Sequence, residues 1–387
     1  MRVLHVIPSL SLEHGGPTRA LAMMERALTA EGVTVETATS DDDGPQGRLN
    51  RPLAVPVPEN GVVRRYFPRR TVFYKASPAL GRWLADHVRD YDLVHIHALF
   101  SYSSIAAARA ARRAGVPYVL RPLGTLARYG VTQRRPWLKR ASLVLFEGPA
   151  LRGAAAVHFT SEEERIEAEA WGIPMRSRVL PLGVEPLAAT DDTLVRRQFP
   201  ALGEGPYLLY LSRLDPKKNL EGLLDAWALV APQCPAVQLL VAGGGEPGYA
   251  AALRARAAAL GVSTRVVWPG PIDGEIKASA LAGAQAFVLP SFSENFGIAA
   301  AEALMAGLPC VLGRGVAIAA EVEAAGAGWV TLPDAQHVAE ALRQALAMNS
   351  DQRTAMARAA RDLADRRFSA QAMGRGLVAL YREILGV

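Results

Sequence analysis

Ala286-Phe-Val-Leu-Pro-Ser-Phe-Ser-Glu-Asn-Phe-Gly-Ile-Ala-Ala-Ala-Glu-Ala-Leu-Met-Ala-Gly-Leu-Pro-Cys-Val-Leu312 runs from an apolar stretch through a polar loop and an alanine-rich block back to an apolar stretch. Short apolar runs closed by Pro290 and opened by Pro309 read as buried strands, and the block between them as the crossover helix of a parallel sheet. The same alternation spreads outward. It predicts strands at Tyr207 to Ser212, Gln238 to Ala242 and Val266 to Trp268, with helices at Asn219 to Ala231 and Gly248 to Leu260. The first half repeats it, with strands at Arg2 to Pro8, Thr34 to Ala38, Leu93 to His97, Tyr118 to Arg121 and Val157 to Thr160, and a helix at Pro17 to Glu31.

Two Rossmann-like domains are therefore predicted, at 1–185 and 186–369, since 387 residues exceed what one hydrophobic core usually organises. A linker is read at Gly183 to Gly205, which carries Pro186 and Pro200, is followed by Pro206, and shows little periodicity. A final helix, 370–387, follows a break at Phe368 and Ser369 and is expected to pack back on the first domain. Half the residues are apolar and 21% are charged, which excludes a disordered chain. No apolar run is long enough for a membrane span, and the opening segment reads as a strand, so the cytosol is the expected location. Cys234 and Cys310 have no CxxC spacing and suggest neither a disulfide framework nor a thiolate metal site.

Chemistry concentrates where predicted strands end, the edge at which open α/β folds collect ligands. Glu294 stands before the helix and Glu302 in its first turns, so the two carboxylates flank one place. Backbone N–H groups near Asn295, Phe296 and Gly297 are free to meet hydroxyls or developing negative charge. Arg213 and Lys218 follow the first strand of the second half, and Gly243-Gly-Gly-Glu246 follows the next, as a close approach to ligand or as a tight turn. In the first half, His14-Gly15-Gly16-Pro17 lies between a strand and a helix start. His95 and His97 share one face of a strand, and Arg121 ends another, as a contact for acceptor or phosphate or as half of a buried ion pair. Thr160-Ser161-Glu162 reads as a helix cap. Asp41-Asp42-Asp43 resembles a metal-binding DxD, but in its Gly- and Pro-containing surroundings it reads as a solvated turn.

These motifs, strongest from Tyr207 to Trp329, resemble the retaining GT-B glycosyltransferases with an E-x7-E motif, often called family 4. The resemblance implies two Rossmann-like domains facing a central cleft, and transfer of a hexose from a nucleotide-diphosphate sugar without a metal or other cofactor. It places Glu294 at the donor hexose, Glu302 at the ribose hydroxyls, and Arg213 with Lys218 on the diphosphate. It adds Gly243 on the nucleotide side, Trp268 to Ile272 beside the base, Gly15 and Gly16 at the donor phosphate, and His97 near the reacting sugar. Fixed cations suit this task, because cleaving the sugar–phosphate bond leaves negative charge on the β-phosphate. A departure lies after Pro309, where Gly313-Arg314-Gly315 stands in place of a glycine-rich turn followed by an acid.

A nucleotide-sugar epimerase and a catalytically silent nucleotide-sugar-binding module are the competing readings. The first is disfavoured by the Glu294, Glu302, Arg213 and Lys218 set, and the second by the presence of every motif residue. No GxGxxG with a following acid points to a dinucleotide dehydrogenase. The net charge of +6 falls in the first half, which has no acid between Asp92 and Glu147 while Arg109 to Arg140 are rich in cations. With Arg64-Arg-Tyr-Phe-Pro-Arg-Arg70, this suggests an anionic membrane surface and not nucleic acid as partner. The expected acceptor is a saccharide or lipid-linked saccharide in surface polysaccharide biosynthesis, at the inner membrane face.

Overall fold

The computed structural model describes residues 1–11, 16–44, 47–126, 136–188 and 191–387. It divides into two compact units: Met1–Gly183 with Ala370–Val387, and Val184–Ser369.

Among its described residues the first unit has ten strands: β1 (Arg2–Ile7), β2 (Thr34–Ser40), β3 (Asp42–Asp43), β4 (Gly47–Arg48), β5 (Val57–Glu59), β6 (Val62–Phe67), β7 (Leu93–His97), β8 (Tyr118–Arg121), β9 (Ala156–Phe159) and β10 (Ser177–Val179). Eight form one sheet in the order β10-β9-β8-β7-β1-β2-β6-β5, parallel except for the β5–β6 pair. Its central strands β1, β7, β8 and β9 are almost wholly buried, as expected of a parallel sheet covered on both faces. The helix Tyr102–Ala114 starts where the Ser101 side chain accepts from the Ser104 N–H and stops at Gly115 in a left-handed conformation. It buries Ala107, Ala108 and Ala111 and turns Arg109, Arg112 and Arg113 outward. The C-terminal helix Ala370–Leu385 packs on the helix Gly16–Ala30. A Cβ at Gly374 would meet the Ala27 carbonyl oxygen at 2.9 Å, so glycine permits the close approach.

Two expectations are corrected in this unit. Arg64 to Phe67 is no headgroup interface; it belongs to β6, inside the sheet. Arg64 is buried against Glu25 and 3.1 Å from Glu59, Arg65 pairs with Glu36, and Arg69 is buried against Asp42, leaving only Arg70 of that group exposed. Nor is Asp41 to Asp43 a solvated turn. Asp42 is fully buried between Arg69 and Lys75 (2.6 Å), and Asp41 accepts from Arg48 and from the Arg69 backbone N–H, both at 2.7 Å. The physical reason is mutual: buried charges persist when paired, and these acids and arginines satisfy one another.

The second unit is a six-stranded parallel sheet: β11 (Tyr207–Leu211), β12 (Gln238–Ala242), β13 (Val266–Gly270), β14 (Ala286–Leu289), β15 (Cys310–Gly313) and β16 (Gly328–Thr331). Their order is β13-β12-β11-β14-β15-β16, with order reversing at β11, where a doubly wound sheet opens a crevice. The core gathers Trp227, Tyr207, Tyr210, Phe287 and Leu289. Cys310 is buried in β15 and Cys234 half-buried, and both are free thiols. Among the described residues, no helix is long and apolar enough to cross a membrane.

Candidate active site

At the end of β11 the chain leaves the sheet as Ser212 and Arg213 and enters a single 3-10 turn, Pro216–Lys218, capped by the Asp215 side chain accepting from the Lys217 N–H. Asn219 closes the turn in a left-handed conformation, and its amide donates to the Pro290 and Pro333 carbonyls, fixing the turn to the loop after β14. Lys218 Nζ thereby reaches Glu294 Oε1 at 2.5 Å. Glu294 is pinned on its other side: its N–H donates to the Gly315 carbonyl (2.8 Å) and its carbonyl accepts from the Ala317 N–H (3.2 Å). Side chains at Gly313 and Gly315 would collide with the Ser291 and Phe292 carbonyl oxygens at 2.5 and 2.0 Å. The unusual Gly313-Arg-Gly315 turn thus braces the Glu294 loop from beneath.

Gly297, at φ +94°, turns that loop into the helix Ile298–Met305. Glu302 lies on this helix, and its Oε1 accepts from Lys277 Nζ at 2.7 Å. Phe296 points inward, its ring edge-on to Phe368 at 5.7 Å, so its backbone and not its side chain is left for a ligand; Asn295 is exposed. Gly243 ends β12 where a Cβ would lie 1.8 Å from the Ser212 carbonyl oxygen, so glycine is required for that loop to lie against the Arg213 loop. Beneath, burial and then the Glu294 charge hold Tyr210 protonated. Arg213 is exposed and has no carboxylate partner among the described residues. One edge of one sheet therefore carries two lysine-paired carboxylates and an unpaired guanidinium, able to accept from hydroxyls and to neutralise a diphosphate.

In the first unit, Gly15 lies outside the described residues and Gly16 opens the helix Gly16–Ala30. His97 is fully buried at the end of β7. Its Nε2 lies 2.9 Å from His5 Nδ1, and its Nδ1 has no partner among the described residues. The β1–β7 register sets His5 opposite His95, and His95 in turn meets Tyr381 of the C-terminal helix at 2.6 Å and His158 of β9 at 3.4 Å. Arg121 lies opposite His97 in register and is buried among these rings, with its Nε unpartnered, not on an open face. Burial first, then the Arg121 charge, lower the pKa of His5 and of His158 to about 3, and His158 adds to the shift at His5. Burial, then neighbouring imidazoles and Arg121, hold His95 and His97 well below the ordinary value. Burial also lowers Arg121, to about 10. Although nitrogen atoms of His5, His95 and His97 approach within 4.8 Å of one another, the rings of His95 and His97, and of His5 and His97, are stacked at 4.4 and 5.0 Å beside a guanidinium. Stacked neutral rings next to a fixed positive charge suit mutual hydrogen bonding and not cation ligation.

Residues 191–363 match the glycosyl transferases group 1 family, and residues 15–183 match the glycosyl transferase 4-like domain. The chain belongs to the group 1 glycosyltransferases. It is 29% identical to a D-inositol 3-phosphate glycosyltransferase of Jonesia denitrificans over 331 residues, 77% of this chain and 74% of that one. It is 26% identical to the GDP-mannose:cellobiosyl-diphosphopolyprenol alpha-mannosyltransferase of Xanthomonas oryzae pv. oryzae over 357 residues, covering 91% and 88%. Its fold matches Anabaena HepE crystallised with UDP, at a TM-score of 0.78 and 20% identity over 99% of this chain and 100% of that one. The fold of this glycosyltransferase is GT-B, built from two Rossmann-like domains.

In the glycosyltransferase, the second unit brings together Arg213, Lys218, Gly243, Glu294, Gly297 and Glu302. The sequence reading missed Lys277, His5, His158 and Tyr381. Lys277 stands 25 residues from its partner, a separation with no periodic signature, and His5 joins His97 only through strand register.

Proposed function

We propose that this glycosyltransferase moves a hexose from a nucleotide-diphosphate sugar to a saccharide or lipid-linked saccharide in surface polysaccharide biosynthesis, with retention of anomeric configuration and without a metal or other cofactor. The observation that carries the reading is the Lys218–Glu294 pair, with an exposed Arg213 on the same loop that has no carboxylate partner among the described residues. Transfer breaks the bond from the sugar C1 to the phosphate oxygen and leaves the electron pair on the diphosphate. The acceptor hydroxyl oxygen bonds to C1, and its proton passes to the departing phosphate. Arg213 and Lys218 supply the positive charge that a divalent cation would otherwise bring, positioned before the charge develops. Glu294 holds the sugar hydroxyls and Glu302 the ribose. Neutral His97, with Nδ1 unpartnered, is suited to hydrogen bonding with a sugar hydroxyl and not to donating a proton as an acid.

The Xanthomonas relative's name specifies a polyprenol-linked acceptor, which supports a membrane-borne one here. The surface that suits a membrane is not the Arg64 segment. Exposed Val144, Leu145 and Phe146 line up on the π-helix Leu143–Glu147 next to exposed Trp137, with Arg109, Arg112 and Arg113 alongside. Each basic residue adds about 1 kcal/mol at an anionic surface, enough in sum for reversible attachment at the cytoplasmic face of the inner membrane.

The test is product analysis with UDP-, GDP- and ADP-sugars. An α-linked product from an α-linked donor, with activity unchanged by EDTA, is the expected result. An inverted product, or loss restored only by added metal, refutes this mechanism. Co-sedimentation with anionic vesicles should fall with salt and with Arg109, Arg112 and Arg113 changed to Ser, whereas binding unchanged by either removes the membrane reading.

A further inference from the structure

Lys277 lies in the helix Gly274–Gly283, which follows β13, and reaches across to Glu302 on the helix Ile298–Met305. Both side chains are mostly covered, 14% and 16% exposed, and Glu302 Oε2 has no hydrogen-bond partner among the described residues. The arrangement repeats that of Lys218 with Glu294, so each carboxylate of the E-x7-E motif has its own ammonium on one oxygen. A glutamate free to rotate offers its oxygens in many directions. An ammonium at Oε1 removes that freedom and leaves Oε2 aimed by default.

We propose that Lys277 is a positioning residue for the nucleotide's ribose. It holds Glu302 in one rotamer so that its second oxygen accepts from the vicinal hydroxyls. The proposal rests on the reading that Glu302 receives the ribose. A simple staple between two helices would stabilise the unit and would be indifferent to whether the ribose carries its hydroxyls.

Affinity of the full chain for UDP and GDP, and for their 2′-deoxy counterparts, is measured by calorimetry on the wild type, Lys277→Met, Lys277→Arg and Glu302→Ala. Wild type is expected to prefer the ribonucleotide by about tenfold or more, the range of a hydrogen bond to a charged group. Lys277→Met should weaken ribonucleotide binding by about tenfold and leave the deoxynucleotide almost unchanged, raising the donor KM with little effect on kcat. Lys277→Arg should restore most of the preference. Equal weakening of both nucleotides, or no change in either, overturns the proposal. If Glu302→Ala erases the preference and Lys277→Met keeps it, only the role of Lys277 fails. If Glu302→Ala keeps it, the ribose assignment fails and Lys277 falls with it. Lys277→Gln serves as a second variant should Lys277→Met not fold, judged on the same ratio.

Discussion

Lowering the pH from 7.5 to 5.5 should destabilise the first unit before the second, because its interior holds four imidazoles that folding keeps neutral. His5 and His158 titrate at about 3 when folded and near 6.5 when unfolded, so between those values the unfolded chain binds one more proton at each. The sign follows: their contribution is intact above pH 6.5 and is lost as the pH falls, by about 1.4 kcal/mol per pH unit for each imidazole. His95 and His97 act in the same direction. Glu147 opposes them, since burial raises its folded pKa to about 7 and the folded form then holds the extra proton down to about 4.5. His5 and His158 set against Glu147 leave about 1.4 kcal/mol per pH unit, and His95 with His97 raise this toward about 4. For a unit of this size, 1 kcal/mol moves the midpoint by about 2–4 °C, and the unfolded imidazoles are only half protonated at pH 6.5, so the first-unit transition should drop by at least about 2 °C between pH 6.5 and 5.5. Calorimetry at pH 7.5, 6.5 and 5.5 measures the shift, and hydrogen exchange across β1, β7 and β9 assigns it to the unit. His158→Gln removes one titrating ring and should flatten the slope by about 1.4 kcal/mol per pH unit. A transition that does not move with pH, or an unchanged slope in His158→Gln, refutes the reasoning.

Glu302→Ala should raise the donor KM more than it lowers kcat, and Glu294→Gln should do the reverse, since ribose contacts persist through the reaction and contacts to the transferring sugar change along it; steady-state kinetics on both variants checks this. Arg64→Ser strands Glu25 in the core and should cost about 3–5 kcal/mol in denaturant unfolding. A loss below about 1 kcal/mol would show that the pair is solvated. Gly243→Ala drives a methyl into the Ser212 carbonyl and should destabilise the second unit by about 1–3 kcal/mol, read from its melting transition.

Strands of mostly apolar residues, such as β8, β11 and β12, were legible because burial on both faces leaves a local signature. β6 was not. Its inward positions include Arg64 and Tyr66, which are satisfied by Glu25 and Glu59 from elsewhere in the chain, so a rule of apolar inside and polar outside misreads it as surface. The Asp41 to Asp43 segment misleads in the same way, its balancing cations arriving from Arg69 and Lys75. At the site, Glu294 and Glu302 stood out because one short segment carries both. Lys277 answers Glu302 from a different helix and the brace at Gly313 to Gly315 acts through backbone atoms, and neither has a composition signature.

The C-terminal helix has a consequence for the order in which the protein is made. By the time Gly183 has been synthesised every strand of the first sheet exists, yet the helix that lies on Gly16–Ala30 and gives His95 its tyrosine partner is still some 190 residues away. The second unit, Val184–Ser369, is a single uninterrupted stretch of chain and has all its residues before that helix emerges. On the ribosome the later-encoded unit is therefore the first to be complete. The earlier one waits with an uncovered apolar face and with His95 still lacking its tyrosine, a natural place for a chaperone to bind. Emergence of Ala370–Val387, and not of the first half, is the event that closes the first fold.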